Sequence, residues 1–228
     1  MTIHGTRNRV SINFIFDVQQ GEGRFIDGTP FTTRPPVTGN FVAVGAMGVM
    51  AHSTNGINWT QTTVGTALWQ GVTYGNGRYV AVGNNGALAH STNGINWTQT
   101  TVGTANWNDV IDGSGGFVAV GGGGAMAHST NGVNWTQINV GTVGWQGVIY
   151  GTGRYVAVGG NGAMAHSTNG FNWTQINVGN LSWWDITYSS GRYVAVGNNG
   201  AMTHSSNGIN WTTINVGIQH WSDVTRGN

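Results

Sequence analysis

The chain has 228 residues, 40 of them glycine, with 3 prolines and no cysteine. Eight arginines and no lysine stand against seven acids, a formal charge of +1, which excludes a broad basic surface for nucleic acid. The missing cysteines exclude disulfides and thiolate-bound metals, and no apolar run approaches the ~18 residues of a membrane-spanning helix. Only 7% of residues are charged, against roughly 25% in an ordinary globular chain. Asn, Thr, Ser, Gln and Gly must cover the surface, as on many extracellular adhesins and virus particles.

Residues 1–40 form an arm unlike the rest of the chain. Met1 to Val18 carries Arg7 and Arg9 but alternates apolar and polar residues and has no small-residue cleavage site, so a secretory signal is not expected. Val10, Ile12, Phe14, Phe16 and Val18 fall on one face of an alternating run. A shorter companion follows at Arg24–Gly28, then an extended Arg34-Pro35-Pro36 linker. A two-stranded hairpin is marginal alone. The five apolar residues are therefore expected to anchor the arm, against the rest of the chain or in another chain's sheet.

From residue 41 the chain repeats. Histidines fall at His52, His90, His128, His166 and His204, each 38 residues after the last. Trp59, Trp97, Trp135, Trp173 and Trp211 keep the same step, as do Trp69, Trp107, Trp145, Trp183 and Trp221. One unit contains WQGVTYG, GRYVAVG, GALAHSTNG and INWTQTTVG, short apolar or alternating runs bounded by Gly and Asn. Asn-Gly pairs favour tight hairpins because both residues tolerate positive φ. Four short strands in a unit of this length, repeated without helical period, predict propeller blades.

The ends of the repeat region complement each other. The first unit begins at Phe41 without a Trp-x-x-Val strand, and Trp221–Val224 is such a strand. The expected fold is therefore an all-β, five-bladed β-propeller over residues 41–228, its ring closed by the C-terminal strand.

Ser53-Thr54-Asn55-Gly56-Ile57-Asn58-Trp59 recurs in all five units, from Ser53, Ser91, Ser129, Ser167 and Ser205. It resembles the Asp-box hairpin of BNR and sialidase-type propellers, with Asn for Asp and one residue fewer before the Gly. The resemblance implies a structural hairpin and nothing about activity. The blade count alone is similar to that of tachylectin-like lectins.

The Trp59 series and the histidines are expected to pack. Identical histidines on separate sheets cannot converge to the ~2 Å that a metal requires, so no metal or cofactor is expected. The Trp69 series follows the most variable stretch of the unit and neighbours the turn carrying Asn84, Asn85, Asn161, Asn198 and Asn199. Trp69, Trp107, Trp145, Trp183 and Trp221 with these asparagines are the candidate ligand-binding set, because Trp beside Asn can stack on a sugar and bind its hydroxyls. The alternative is that these tryptophans wedge the blades together.

No catalytic residue is expected. In the repeats Arg78, Arg154 and Arg192 share one repeat position, Asp109, Asp185 and Asp223 share another, and there is no Glu. Symmetry spreads such groups over different blades, whereas a glycosidase needs two differing carboxylates roughly 5–10 Å apart. The composition, the arm and the near-identical repeats look like a bacteriophage virion component, anchored through residues 1–40 to other chains of an assembly or homo-oligomer and recognising surface glycans. That places the chain on a virion or extracellular surface after assembly from the cytoplasm, without nucleic-acid binding or membrane insertion. The alternatives are a free multivalent lectin and, least favoured, a glycosidase.

Overall fold

The computed structural model describes residues 15–16, 23–24 and 40–225. Two compact units divide the chain, Met1–Gly39 and Asn40–Asn228. In the first, Ile15–Phe16 pairs antiparallel with Gly23–Arg24, Ile15 opposite Arg24 and Phe16 opposite Gly23. Of the expected anchoring residues, Val10, Ile12, Phe14 and Val18 lie outside the described residues, and only the backbone of Phe16 is described.

The second unit is an all-β, five-bladed propeller. The second blade is the meander Trp69–Gly75, Arg78–Gly83, Ala87–Ser91 and Thr98–Thr101. The third runs Trp107–Gly113, Gly116–Gly121, Ala125–Ser129 and Thr136–Asn139. The fourth runs Trp145–Gly151, Arg154–Gly159, Ala163–Ser167 and Thr174–Asn177. The fifth runs Trp183–Ser189, Arg192–Gly197, Ala201–Ser205 and Thr212–Asn215. The first blade contains Phe41–Val44, Val49–Ser53 and Thr60–Thr63.

The turns form where the sequence expects them. Asn76 and Gly77, between the first two strands of the second blade, both have positive φ, 47° and 72°, as a tight hairpin requires. Each described inner strand carries a register shift just after its Trp, as between Trp69 and Gly71. Such a bulge bends the strand and re-aims the side chain.

The core lies between blades. Trp107, Val110, Phe117 and Ala119 of the third blade pack on Val80, Val82 and Leu88 of the second, and the next two seams repeat the pattern. The second strands of the second, third and fourth blades are sandwiched on both faces, which is why their run YVAVG or FVAVG is continuously apolar. Glycine permits the closest approach. A Cβ on Gly132, where φ is +71°, would lie 2.9 Å from Val80 Cγ2 in the preceding blade. Gly94, Gly170 and Gly208 meet Val42, Val118 and Val156 in the same way.

The closing ladder differs from the sequence expectation. Among the described residues the first blade's sheet has three strands, and Phe41–Val44 pairs with Val49–Ser53 alone. Trp221–Val224 lies instead against the fifth blade. Trp221 N–H donates to Gly197 O at 3.1 Å and Val224 N–H to Asp185 Oδ2 at 2.8 Å. These bonds match those by which other inner strands sit on the preceding blade, Trp69 N–H to Gly45 O and Val148 N–H to Asp109 Oδ2. The segment follows the repeat geometry, and among the described residues no ladder pairs it with Phe41–Val44.

Candidate functional site

The loops entering each blade and the turns between second and third strands share one face of the propeller. They are tied together by backbone bonds from Asn84 N–H to Leu68 O, Gly122 N–H to Asn106 O, Gly160 N–H to Gly144 O and Asn198 N–H to Ser182 O. The middle residue of each turn is left-handed, with φ of 52° at Asn85 and 54° at Asn161 and Asn199. Asn tolerates that conformation better than other side-chain-bearing residues, so these asparagines have a structural reason to be there.

Trp69, Trp107, Trp145 and Trp183 are buried, and each indole N–H donates to the carbonyl five residues earlier, Val64, Val102, Val140 and Val178. They wedge the blades and present no ring face to solvent. Trp221 is half-buried, with no partner for its Nε1 among the described residues. Asn84 uses its Oδ1 to accept Leu68 N–H, and with Asn85 it lines a cleft of about 140 Å³ against Thr66 and Ala67 of the loop entering the second blade.

One group of exposed side chains on this face departs from the repeat. Trp184, 36% exposed, donates its indole N–H to Asn198 Oδ1 at 2.8 Å. His220 Nδ1 meets the same oxygen at 2.7 Å, and the two rings stand edge to face with centroids 5.3 Å apart. An indole N–H only donates, so the Asn198 atom facing it is the oxygen. His220 then carries a proton on Nδ1 and can turn Nε2 outward. The cluster offers an aromatic surface, an amide and an imidazole edge, held by bonds among themselves.

Asn198 was expected at a site, whereas Trp184 and His220 were not singled out. The signal that marks them is that each occurs in one unit alone, Trp184 at a position otherwise held by small polar residues or Gln and His220 in the variable stretch. Trp184 stands where the other units have Gln70, Asn108, Gln146 and Ser222, and His220 where they have Leu68, Asn106, Gly144 and Ser182.

The acids and histidines serve the frame. Asp109 accepts two backbone N–H groups, from Val110 and from Val148 of the next blade, and burial pushes its carboxyl up to about 6. Desolvation likewise raises Asp185, with Asp223 beside it contributing. Burial, then the neighbouring Arg78 and Arg154, lower His90 and His166. His128 Nε2 bonds Gly115 O at 2.8 Å. Among the described residues no three acids or histidines gather as metal ligands would. No helix among them is long and apolar enough to cross a membrane.

This chain is similar in fold to solved β-propellers. A computationally designed protein, Ika8, matches 94% of this chain over 77% of its own length, with a TM-score of 0.60 and 6% identity. The structure of a nidogen/laminin complex matches 80% of each chain with a TM-score of 0.55 and 12% identity. YCF48 bound to D1 peptide matches 77% of each chain with a TM-score of 0.45 and 15% identity. No family model and no curated protein matches the sequence.

Proposed function

We propose that this chain is a non-catalytic binding propeller, carried on a larger assembly through residues 1–40, which takes the face of a sugar ring on Trp184, Asn198 and His220. The observation that carries the reading is the Trp184–Asn198–His220 cluster on the loop face, in which Trp184 and His220 occur in one unit alone. An aromatic face beside fixed polar groups suits a ligand with one apolar face and a rim of hydroxyls. Backbone bonding by the carboxylates of Asp109 and Asp185 supports the non-catalytic part, because those acids are spent in the seams. A surface poor in charge supports display outside a cell or on a virus particle. A glycan array probed with labelled full-length chain, beside Trp184→Ala, tests the proposal. Binding that falls at least tenfold in the variant is expected. If no saccharide is retained and a protein partner is captured through the same face, the sugar reading fails and the binding reading stands.

A further inference from the structure

The four seams between consecutive blades share a set of contacts, and the two ends of the propeller each carry half of that set. In the intact seams the aromatic residue at the start of the apolar run of each second strand is seated against the preceding blade. Phe117, Tyr155 and Tyr193 are 0% exposed, and the hydroxyls of Tyr155 and Tyr193 donate to Gly116 O and Gly151 O there. The equivalent residue of the first blade, Phe41, is 56% exposed. The hairpin glycines Gly94, Gly132, Gly170 and Gly208 are buried against a valine of the preceding blade, whereas Gly56 is exposed and its nearest neighbour is Phe41 of its own blade. Ala43 is exposed where Ala81, Ala119, Ala157 and Ala195 are buried.

The far end shows the matching deficits. Val194 is half-exposed, although Val80, Val118 and Val156 at the same repeat position are 0% exposed. Beside it a cavity of about 340 Å³ is lined by Thr187, Arg192, Val194, Val224 and Thr225, among others. In the intact seams this is where the following blade's aromatic residue and hairpin glycine sit. Trp221–Val224 is already placed as the inner strand of a following blade by its bonds to Gly197 and Asp185, and none of its residues belongs to a ladder. Among the described residues one end has no inner strand and holds an exposed Phe41. The other holds a segment placed as an inner strand and a cavity beside Val194.

From these two faces we propose that a second copy of this chain completes the seam head to tail, its Phe41–Val44 pairing with Trp221–Val224 and its Phe41 entering the socket beside Val194. The choice of a second copy rests on the repeat geometry. Another copy can dock with the same contacts that join the four internal pairs of blades, leaving every seam as it is. Within one chain the two halves stand apart, Phe41 being 56% exposed while Trp221 and Val224 keep the repeat's bonds to the fifth blade. The interface is heterologous, so successive additions produce a larger ring where the rotation closes and a filament where it does not. The added strand also covers the open edge of Phe41–Val44, a template for unspecific pairing if left bare.

The natural absence of cysteine permits a clean test. By the repeat register, in which Val72 pairs with Ala81, Val224 pairs with Ala43, and side chains directly opposite in a ladder are close enough to cross-link. Ala43→Cys and Val224→Cys full-length chains are prepared separately, mixed and oxidised. A disulfide-linked dimer that forms only in the mixture is expected, together with a wild-type mass by sedimentation that rises with concentration. Phe41→Asp, at a side chain exposed in the isolated chain, should weaken association at least tenfold while leaving the circular dichroism unchanged. The proposal is overturned if the doubly substituted chain links within one molecule and the mixture does not cross-link. It is equally overturned if wild type stays monomeric at every concentration.

Discussion

Asp109 in the third blade accepts the backbone N–H of Val148 in the fourth through Oδ2 at 2.9 Å. A carboxylate thus links two neighbouring inner strands, in a place where burial raises its pKa from 3.8 to about 6. The folded protein holds this proton more tightly than the unfolded chain does. The associated stability is fully present below about pH 4 and is lost as pH rises through about 6. Between those limits wild type should lose on the order of 1–3 kcal/mol relative to Asp109→Asn. His90 and His166, lowered by burial, push the other way as pH falls below 6.5, and they cancel in the difference. Urea denaturation of both proteins across this range measures it.

Trp107 wedges the second and third blades with its indole N–H satisfied by Val102 O. Trp107→Ala should cost about 3–5 kcal/mol, the range for emptying a buried large aromatic site. Trp59→Ala, at a residue 46% exposed, should cost much less. Chemical denaturation of the two variants separates them.

The hairpin between third and fourth strands is held by two side-chain oxygens. Asn131 Oδ1 accepts the N–H groups of Val133 and Asn134 at 2.9 Å each, and Ser129 Oγ accepts that of Gly132 at 2.8 Å. Asn131→Ala removes the first two bonds and should cost about 1–3 kcal/mol. Asn131→Asp keeps an accepting oxygen for both N–H groups and should be close to neutral. Thermal unfolding distinguishes the outcomes.

Gly132 and Gly56 share a left-handed backbone, with φ of +71° and +74°. A methyl group at Gly132 would meet Val80 at 2.9 Å, whereas at Gly56 the nearest atom is in Phe41 at 3.6 Å. Both alanine variants suffer the backbone strain of roughly 1 kcal/mol. Gly132→Ala adds an overpacking cost of about 1–3 kcal/mol. At protein concentrations too low for association, its melting temperature should fall further than that of Gly56→Ala.

Much of the fold was legible because the repeat carries it. The 38-residue step, the Asn-Gly turns and the apolar second strands each state a local geometry, and five copies state it five times. Of the two readings open for the Trp69 series, burial and the bonds to Val64, Val102, Val140 and Val178 match the wedge. The pairing of Trp221–Val224 was not legible. Sequence shows that the first blade lacks this strand but not the rotation between blades, which depends on packing summed over every seam. Trp184 and His220 escaped for the opposite reason. A search for what recurs passes over residues whose distinction is that they do not recur.

Titration of the labelled full-length chain with array-identified saccharide, followed through the indole N–H resonances, addresses the recognition claim most directly. The Trp184 signal should shift in a saturable way while those of Trp107, Trp145 and Trp183 stay in place, and Trp184→Ala should abolish binding. Saturable binding that leaves the Trp184 resonance unmoved would contradict the assignment of the fifth-blade patch as the site.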